Sequence, residues 1–153
     1  MLTDLFTEKQ NKVLHTYLNE DFRMMILSGA VRSGKTYINN YLFLLELRRV
    51  AKQAELEGEK HPQYILAGAS SGSIYNNVIL SISNTFGVDL PPDRHNHFHL
   101  FGVDITPIYT DSIRGLAGAR GFTSYGAYVN EASLANERVF EEINNRCSKP
   151  NSK

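Results

Sequence analysis

The chain has 153 residues, 42% of them hydrophobic, and its 16 Lys plus Arg are balanced by 16 Asp plus Glu. That length suits one domain with a real core, and the balanced charge leaves any nucleic-acid surface to be local rather than global. The single cysteine, Cys147, excludes an internal disulfide and has no second cysteine for a metal cluster, and no apolar run approaches the ~18 residues a membrane span needs. There is no basic start followed by an apolar core, so a soluble, unexported protein of a reducing cytoplasm is expected, with no membrane partner.

Residues 1–21 hold a helix that starts at Thr7, with Val13, Leu14, Tyr17 and Leu18 on its apolar face. Residues 22–62 form a second unit. Phe22 to Leu27 reads as a buried strand that delivers the stretch Gly29-Ala30-Val31-Arg32-Ser33-Gly34-Lys35-Thr36, and Ile38, Tyr41, Leu42, Leu44, Leu45 and Leu47 then mark a long helix. Its tail, Arg48 to Lys60, turns charged and stops at Gly58 and Pro62. In residues 63–94, Gln63 to Gly68 repeats strand character, and Ser70 to Ser73 caps a helix over Ile74, Val78, Ile79, Ile82 and Phe86.

Residues 95–124 begin with a hairpin pattern about Gly102, read as an insertion between parallel strands, and continue through a loop rich in Gly and Arg from Ile113 to Thr123. In residues 125–153, Tyr125 to Val129 is a strand ending in Asn130-Glu131, and Leu134 to Cys147 is a helix. Alternating strands and helices predict an α/β domain with a parallel sheet.

The stretch Gly29–Thr36 has the spacing G-x-x-x-x-G-K-[ST] between a strand and a helix, which is the setting of a phosphate loop. Wrapping an anionic triphosphate with backbone N–H groups requires glycines where a side chain would block close approach. Lys35 supplies a fixed positive charge for the β- and γ-phosphates. Thr36 offers a hydroxyl to Mg²⁺, and the following helix N-terminus adds its partial charge. Phosphoryl transfer to water further needs a metal and a group that aligns the water. The strand ending at Asn130-Glu131 makes Glu131 the candidate carboxylate, with a helix-start role as its alternative. Asn130 stands where an aspartate would hold Mg²⁺ through water, and its amide supplies an oxygen without charge.

Gln10, the Ile26–Thr36 stretch, Ser112-Ile113-Arg114-Gly115-Leu116 and Tyr128-Val129-Asn130-Glu131-Ala132 together resemble the ATPase region of a tailed-phage terminase large subunit. The resemblance implies an α/β P-loop sandwich of the additional-strand type and an ATPase, with ATP and Mg²⁺ as ligands, that drives packaging of double-stranded DNA. It further implies a terminase small subunit and a portal protein as partners, a homo-oligomeric ring, and the host cytoplasm. It assigns Lys35 and Thr36 to phosphate and Mg²⁺, Glu131 to catalysis and Gln10 to the adenine edge, and it brings Arg32 to the γ-phosphate, where a planar, always-charged fork suits the task. The alternatives are a solvent-facing Gln10 and a salt-bridged or exposed Arg32. Arg114 and Arg120 are candidates for a neighbouring nucleotide or DNA phosphate, or are solvated loop residues.

The sequence ends at Lys153 before the additional strand, the coupling motif and a nuclease acidic cluster. A truncated piece of a larger protein is therefore expected, with unpaired strand edges bordering a gap at the C-terminal side of the sheet. The alternative function is a nucleotide-binding fragment without its own catalysis, and a small-molecule kinase is disfavoured because no lid or acceptor pocket is visible. The letters His95-Asn96-His97 match a nuclease motif without its context. The alternation His95, His97, His99 fits a polar hairpin face better than a metal site.

Overall fold

The computed structural model describes residues 5–29, 34–114, 117 and 121–153. Helix α1 spans Glu8–Asn19, and Thr7 caps it as expected, accepting the Gln10 backbone N–H while the Gln10 side chain takes the Thr7 N–H. This reciprocal capping box satisfies two donors that the helix start would otherwise leave orphaned. Helix α2 spans Lys35–Glu57 and ends at Gly58, whose left-handed backbone (φ 72°) lets its N–H reach back to the carbonyls of Ala54 and Glu55.

Strand β1 (Gln63–Gly68) is followed by α3 (Ser71–Ile74), a π turn (Tyr75–Ile79) and α4 (Leu80–Phe86). Next come β2 (Phe98–Leu100), β3 (Val103–Tyr109), β4 (Ala127–Val129), a 3₁₀ turn (Ala132–Leu134) and α5 (Glu137–Arg146). The sheet order is β2-β3-β1-β4, with β1 parallel to both β3 and β4, and β2 antiparallel to β3.

Both faces of the sheet are covered, which is why β1 reads as a continuous apolar run instead of an alternating one. Tyr64, Leu66, Val103, Ile105 and Tyr128 pack against Phe43, Leu47, Val50 and Ala54 of α2 and against Ile74, Val78 and Ile82. Ile65, Ala67 and Ile108 meet Val139 and Ile143 of α5 on the other face. A third cluster, with Phe6, Leu14, Ile38 and Leu42 at its centre, joins α1 to the first half of α2 and to Met25 and Leu27.

Three expectations are corrected. Phe22 to Leu27 forms no strand among the described residues: Met25 and Leu27 turn inward, while Met24 is 47% and Ile26 76% exposed. The alternation is that of a strand, but no neighbouring strand supplies the ladder. The hairpin is no insertion, because β3 is itself the parallel neighbour of β1 along its whole length. Its two-residue turn, Phe101-Gly102 at φ 54° and 79°, has the positive angles of a type I′ connection and adds β2 at the sheet edge. The last helix starts at Glu137, not Leu134, because the Asn136 side chain caps it by accepting the N–H groups of Arg138 and Val139, which leaves Leu134 exposed.

The alternating histidines separate. His99 sits on β2 with Nδ1 2.7 Å from Asp104 and Nε2 2.8 Å from Asp93, so both ring nitrogens face carboxylates. Among the described residues no cluster of His, Cys, Asp or Glu has a metal-binding arrangement. The Asp93 carboxylate also takes the backbone N–H groups of His95 and His97, with Arg94 beside it.

Hydrogen bonds to Asp93 and Asp104 raise the His99 pKa above its usual value. A raised folded pKa stabilises fully below the unfolded value of about 6.5 and fades as pH rises through the folded one. Melting curves across pH should therefore show His99→Gln less stable than the unsubstituted chain below about pH 6.5, with the gap closing at alkaline pH. A gap that widens with pH would contradict the staple.

A candidate nucleotide site

Gly34 opens α2 in the left-handed region (φ 81°), so the loop turns sharply into the helix at a residue with no Cβ. Lys35 is the first residue of α2, and its Nζ donates to the Gly29 carbonyl at 2.6 Å, which holds the ammonium across the mouth of the loop. Thr36 is exposed at the same helix end, where unpaired N–H groups concentrate positive potential.

The second half stands at the end of β4. The Asn130 N–H donates to the Ala67 carbonyl at 2.8 Å, continuing the ladder by one residue, and its side chain is only 4% exposed. Its Nδ2 is buried without a hydrogen-bond partner. Such an orphan is costly unless a ligand meets it, and a half-turn of the amide would present its oxygen instead. Glu131 follows in the left-handed region (φ 54°, ψ 52°), with no side-chain capping bond to the 3₁₀ turn it precedes. The helix-cap alternative therefore finds no support, since Asn136 caps α5. A non-glycine residue held at positive φ carries strain of about 1 kcal/mol or more, and such strain gathers at functional sites.

One bond sets the two halves level. Tyr128 Oη donates to Asn40 Oδ1 at 2.9 Å, joining β4 to α2. The two elements run in opposite directions, because Phe43 packs on Tyr128 while Arg49, further along α2, reaches the Tyr125 carbonyl further back along the chain. From Asn40, Thr36 lies about 6 Å towards the helix start. From Tyr128, Asn130 lies about 6.6 Å towards the strand end. Thr36 and Asn130 thus reach the same level at the C-terminal side of the sheet.

Gln10 is buried, with its Oε1 accepting the Thr7 N–H at 2.9 Å and its Nε2 donating to the Gly34 carbonyl at 3.1 Å. Both ends of the amide are engaged, so the residue braces the loop exit in place of a free edge for a base. Gln10→Ala should weaken ATP and GTP binding alike, by roughly tenfold, the size of a lost hydrogen bond plus a lost cap. Competition titrations with the two nucleotides check this, and a loss confined to ATP would restore the base-reading role.

Ala30, Val31, Arg32, Ser33 and Arg120 lie outside the described residues. Arg114 is exposed and lines a cleft of about 400 Å³ beside Ser70, Ser71 and Asp111, at the ends of β1 and β3. Asn40 and Tyr128 escaped the sequence reading as a pair. The available signal was a single amide set in the sheet-facing stripe Asn40, Phe43, Leu47, Val50, Ala54 of α2.

The chain is a mixed α/β protein whose mainly parallel sheet gathers polar residues at the C-terminal ends of its strands, the edge where such sheets take ligands. Within that class, its fold is that of the large terminase of a thermophilic bacteriophage. One crystal form of that enzyme superposes with a TM-score of 0.75 at 20% identity over 97% of this chain. Structures of the same enzyme in complex with ATP-gamma-S and with ADP each give a TM-score of 0.72 at 20% identity. The chain spans about 37% of the length of that terminase. No protein-family model and no curated protein matches the sequence. No helix among the described residues is long and apolar enough to cross a membrane.

Proposed function

We propose that this chain is the ATP-binding and hydrolysing region of a viral DNA-packaging terminase, of the additional-strand P-loop type. The observation that carries the proposal is the Tyr128–Asn40 bond, which levels Thr36 with Asn130-Glu131 in a fold shared with a large terminase. Lys35 and the α2 N-terminus attract the phosphates, and Gly29, Ala30, Val31, Ser33 and Gly34 wrap them with main-chain N–H groups. Arg32 places a forked positive charge at the γ-phosphate. Gln10 belongs to the site through the loop it braces.

The residues fit Mg²⁺: Thr36 offers a hydroxyl, the orphaned amide of Asn130 lacks a partner, and Glu131 adds the negative charge that Asn130 does not. Bound there, Mg²⁺ neutralises charge that develops on the transferred phosphoryl group. The Glu131 carboxylate aligns the attacking water and accepts its proton.

The sheet has a slot one strand wide. Lys153 pairs with the outer edge of β4, its N–H on the Tyr125 carbonyl and its carbonyl on the Ala127 N–H, in the pattern of a parallel bridge. Its ammonium lies 4.3 Å from the Phe22 ring centre, on the segment that feeds the phosphate loop. A strand entering at Lys153 would therefore pair with β4 on one side and Phe22–Leu27 on the other. In the complete assembly, double-stranded DNA, a terminase small subunit, a portal protein and further copies in a ring are the partners, and the host cytoplasm is the location.

A second reading, a nucleotide-binding fragment without turnover, is favoured by the unpaired Phe22–Leu27 segment and by the uncharged Asn130. Steady-state ATP hydrolysis by the chain, with Lys35→Ala and Glu131→Ala beside it, separates the two. Turnover lost in both variants supports the enzyme. Binding without turnover supports the fragment.

A further inference from the structure

We infer that Asn40 is a positioning residue of the nucleotide site, setting the separation of Thr36 from Asn130 through a buried polar relay across three elements. The inference rests on the nucleotide-site reading above and adds to it a residue that touches neither nucleotide nor metal. Asn40 is 1% exposed, and both ends of its amide are used: Oδ1 accepts from Tyr128 Oη at 2.9 Å, and Nδ2 donates to the Asn77 carbonyl at 3.0 Å.

Asn77 lies inside the π turn Tyr75–Ile79. A π turn loosens the helical ladder, and here one of its carbonyls faces α2 and is met by a side chain. A leucine would satisfy the apolar surroundings of Asn40 without the desolvation that an amide incurs. What the amide adds is register. It fixes where α2 stands along β4 and where the π turn sits over α2.

That register has few other supports at this end of the sheet. β4 has three residues in its ladder, pairs with β1 on one side, and carries only the Lys153 contact on the other. A short edge strand can shift relative to a helix packed across it unless a directional bond pins it. Thr36 stands one turn above Asn40, and Asn130 two residues beyond Tyr128, so a slip at the relay is transmitted directly to both. The Tyr128 hydroxyl remains a donor throughout the working pH range, because burial pushes its pKa up.

The test is equilibrium binding of ADP to the full chain, with Mg²⁺ and with the metal chelated, for the unsubstituted protein, Asn40→Leu, Tyr128→Phe and the double variant. The relay predicts metal-free affinity within about twofold of the unsubstituted protein in all four. The enhancement by Mg²⁺ should fall about tenfold in each single variant, a hydrogen-bond-sized effect. The double variant should be no worse than the poorer single one, since both break the same link. Full Mg²⁺ enhancement in folded Asn40→Leu, or additive losses in the double variant, would overturn the relay. Should Asn40→Leu fail to fold, Tyr128→Phe, which removes one hydroxyl, carries the same test. If Lys35→Ala leaves binding unchanged, the nucleotide site itself is refuted; if it removes binding while the relay variants keep their Mg²⁺ enhancement, only the relay is.

Discussion

Glu46→Ala is expected to destabilise the chain by about 3 kcal/mol, the lower end of the cost of removing one partner from a buried ion pair. Glu46 lies in α2 with its side chain 7% exposed, and it accepts three hydrogen bonds. Arg49 Nε and NH2 reach its two oxygens at 2.8 Å each, and Tyr17 Oη of α1 donates at 2.6 Å. Without the carboxylate, Arg49 keeps only the Gln53 side chain and a long contact to the Tyr125 carbonyl, and the Tyr17 hydroxyl loses its acceptor. Burial and then the Glu46 charge push the Tyr17 pKa up, so the phenol remains a donor and cannot ionise to compensate.

The lower end is appropriate because Arg49 is 25% exposed and can recover some hydration. The damage should centre on α1, since Tyr17–Glu46 is its polar tie to α2 beside the cluster of Phe6, Leu14, Ile38 and Leu42. Urea denaturation followed by circular dichroism measures the loss; a change below about 1 kcal/mol would show that the carboxylate anchors nothing. Replacing Glu46 and Arg49 together by leucine should cost less than Glu46→Ala alone, because no unpaired charge remains.

Gly34→Ala is expected to cost about 2–3 kcal/mol and to weaken nucleotide binding with it. Two terms add. A side chain at φ 81° carries about 1–2 kcal/mol of left-handed strain. The new Cβ would also stand 2.5 Å from Gln10 Nε2, so the glutamine must swing away, giving up its bond to the Gly34 carbonyl and its part in the Thr7 capping box. A lost cap is worth roughly 1 kcal/mol. Gly58→Ala is the matched control, with a similar backbone (φ 72°) but nothing within 4 Å of the added Cβ. Thermal melts should place Gly34→Ala clearly below Gly58→Ala. Equal losses would mean that the Gln10 contact contributes nothing.

Elements whose signals are local were legible in the sequence. Thr7, Gly58, Gln63–Gly68 and the Ser70 cap stand where their residue types direct, because caps, left-handed glycines and buried apolar runs act over a few residues. Features that depend on a partner distant in the chain were not. Met24 to Leu27 alternates like a strand, but alternation reports which way side chains face and says nothing about whether another strand lies alongside. β3 was read as part of an insertion because the tight turn before it is local, whereas its pairing with β1 spans 41 residues between Gln63 and Asp104. The candidate site shows the same division. Gly34, Lys35 and Thr36 announce themselves by spacing, but nothing in their neighbourhood specifies Asn40, whose meaning lies in Tyr128, 88 residues on.

The central claim is that Gly29–Thr36 and Asn130-Glu131 form one nucleotide site. Equilibrium titration of the chain with ATP and Mg²⁺, run beside Lys35→Ala, tests it most directly. Saturable binding of one nucleotide per chain, weakened by Lys35→Ala by about tenfold or more through loss of a charged hydrogen-bond donor, is the predicted result. Absence of saturable binding, or equal binding by Lys35→Ala, would contradict it.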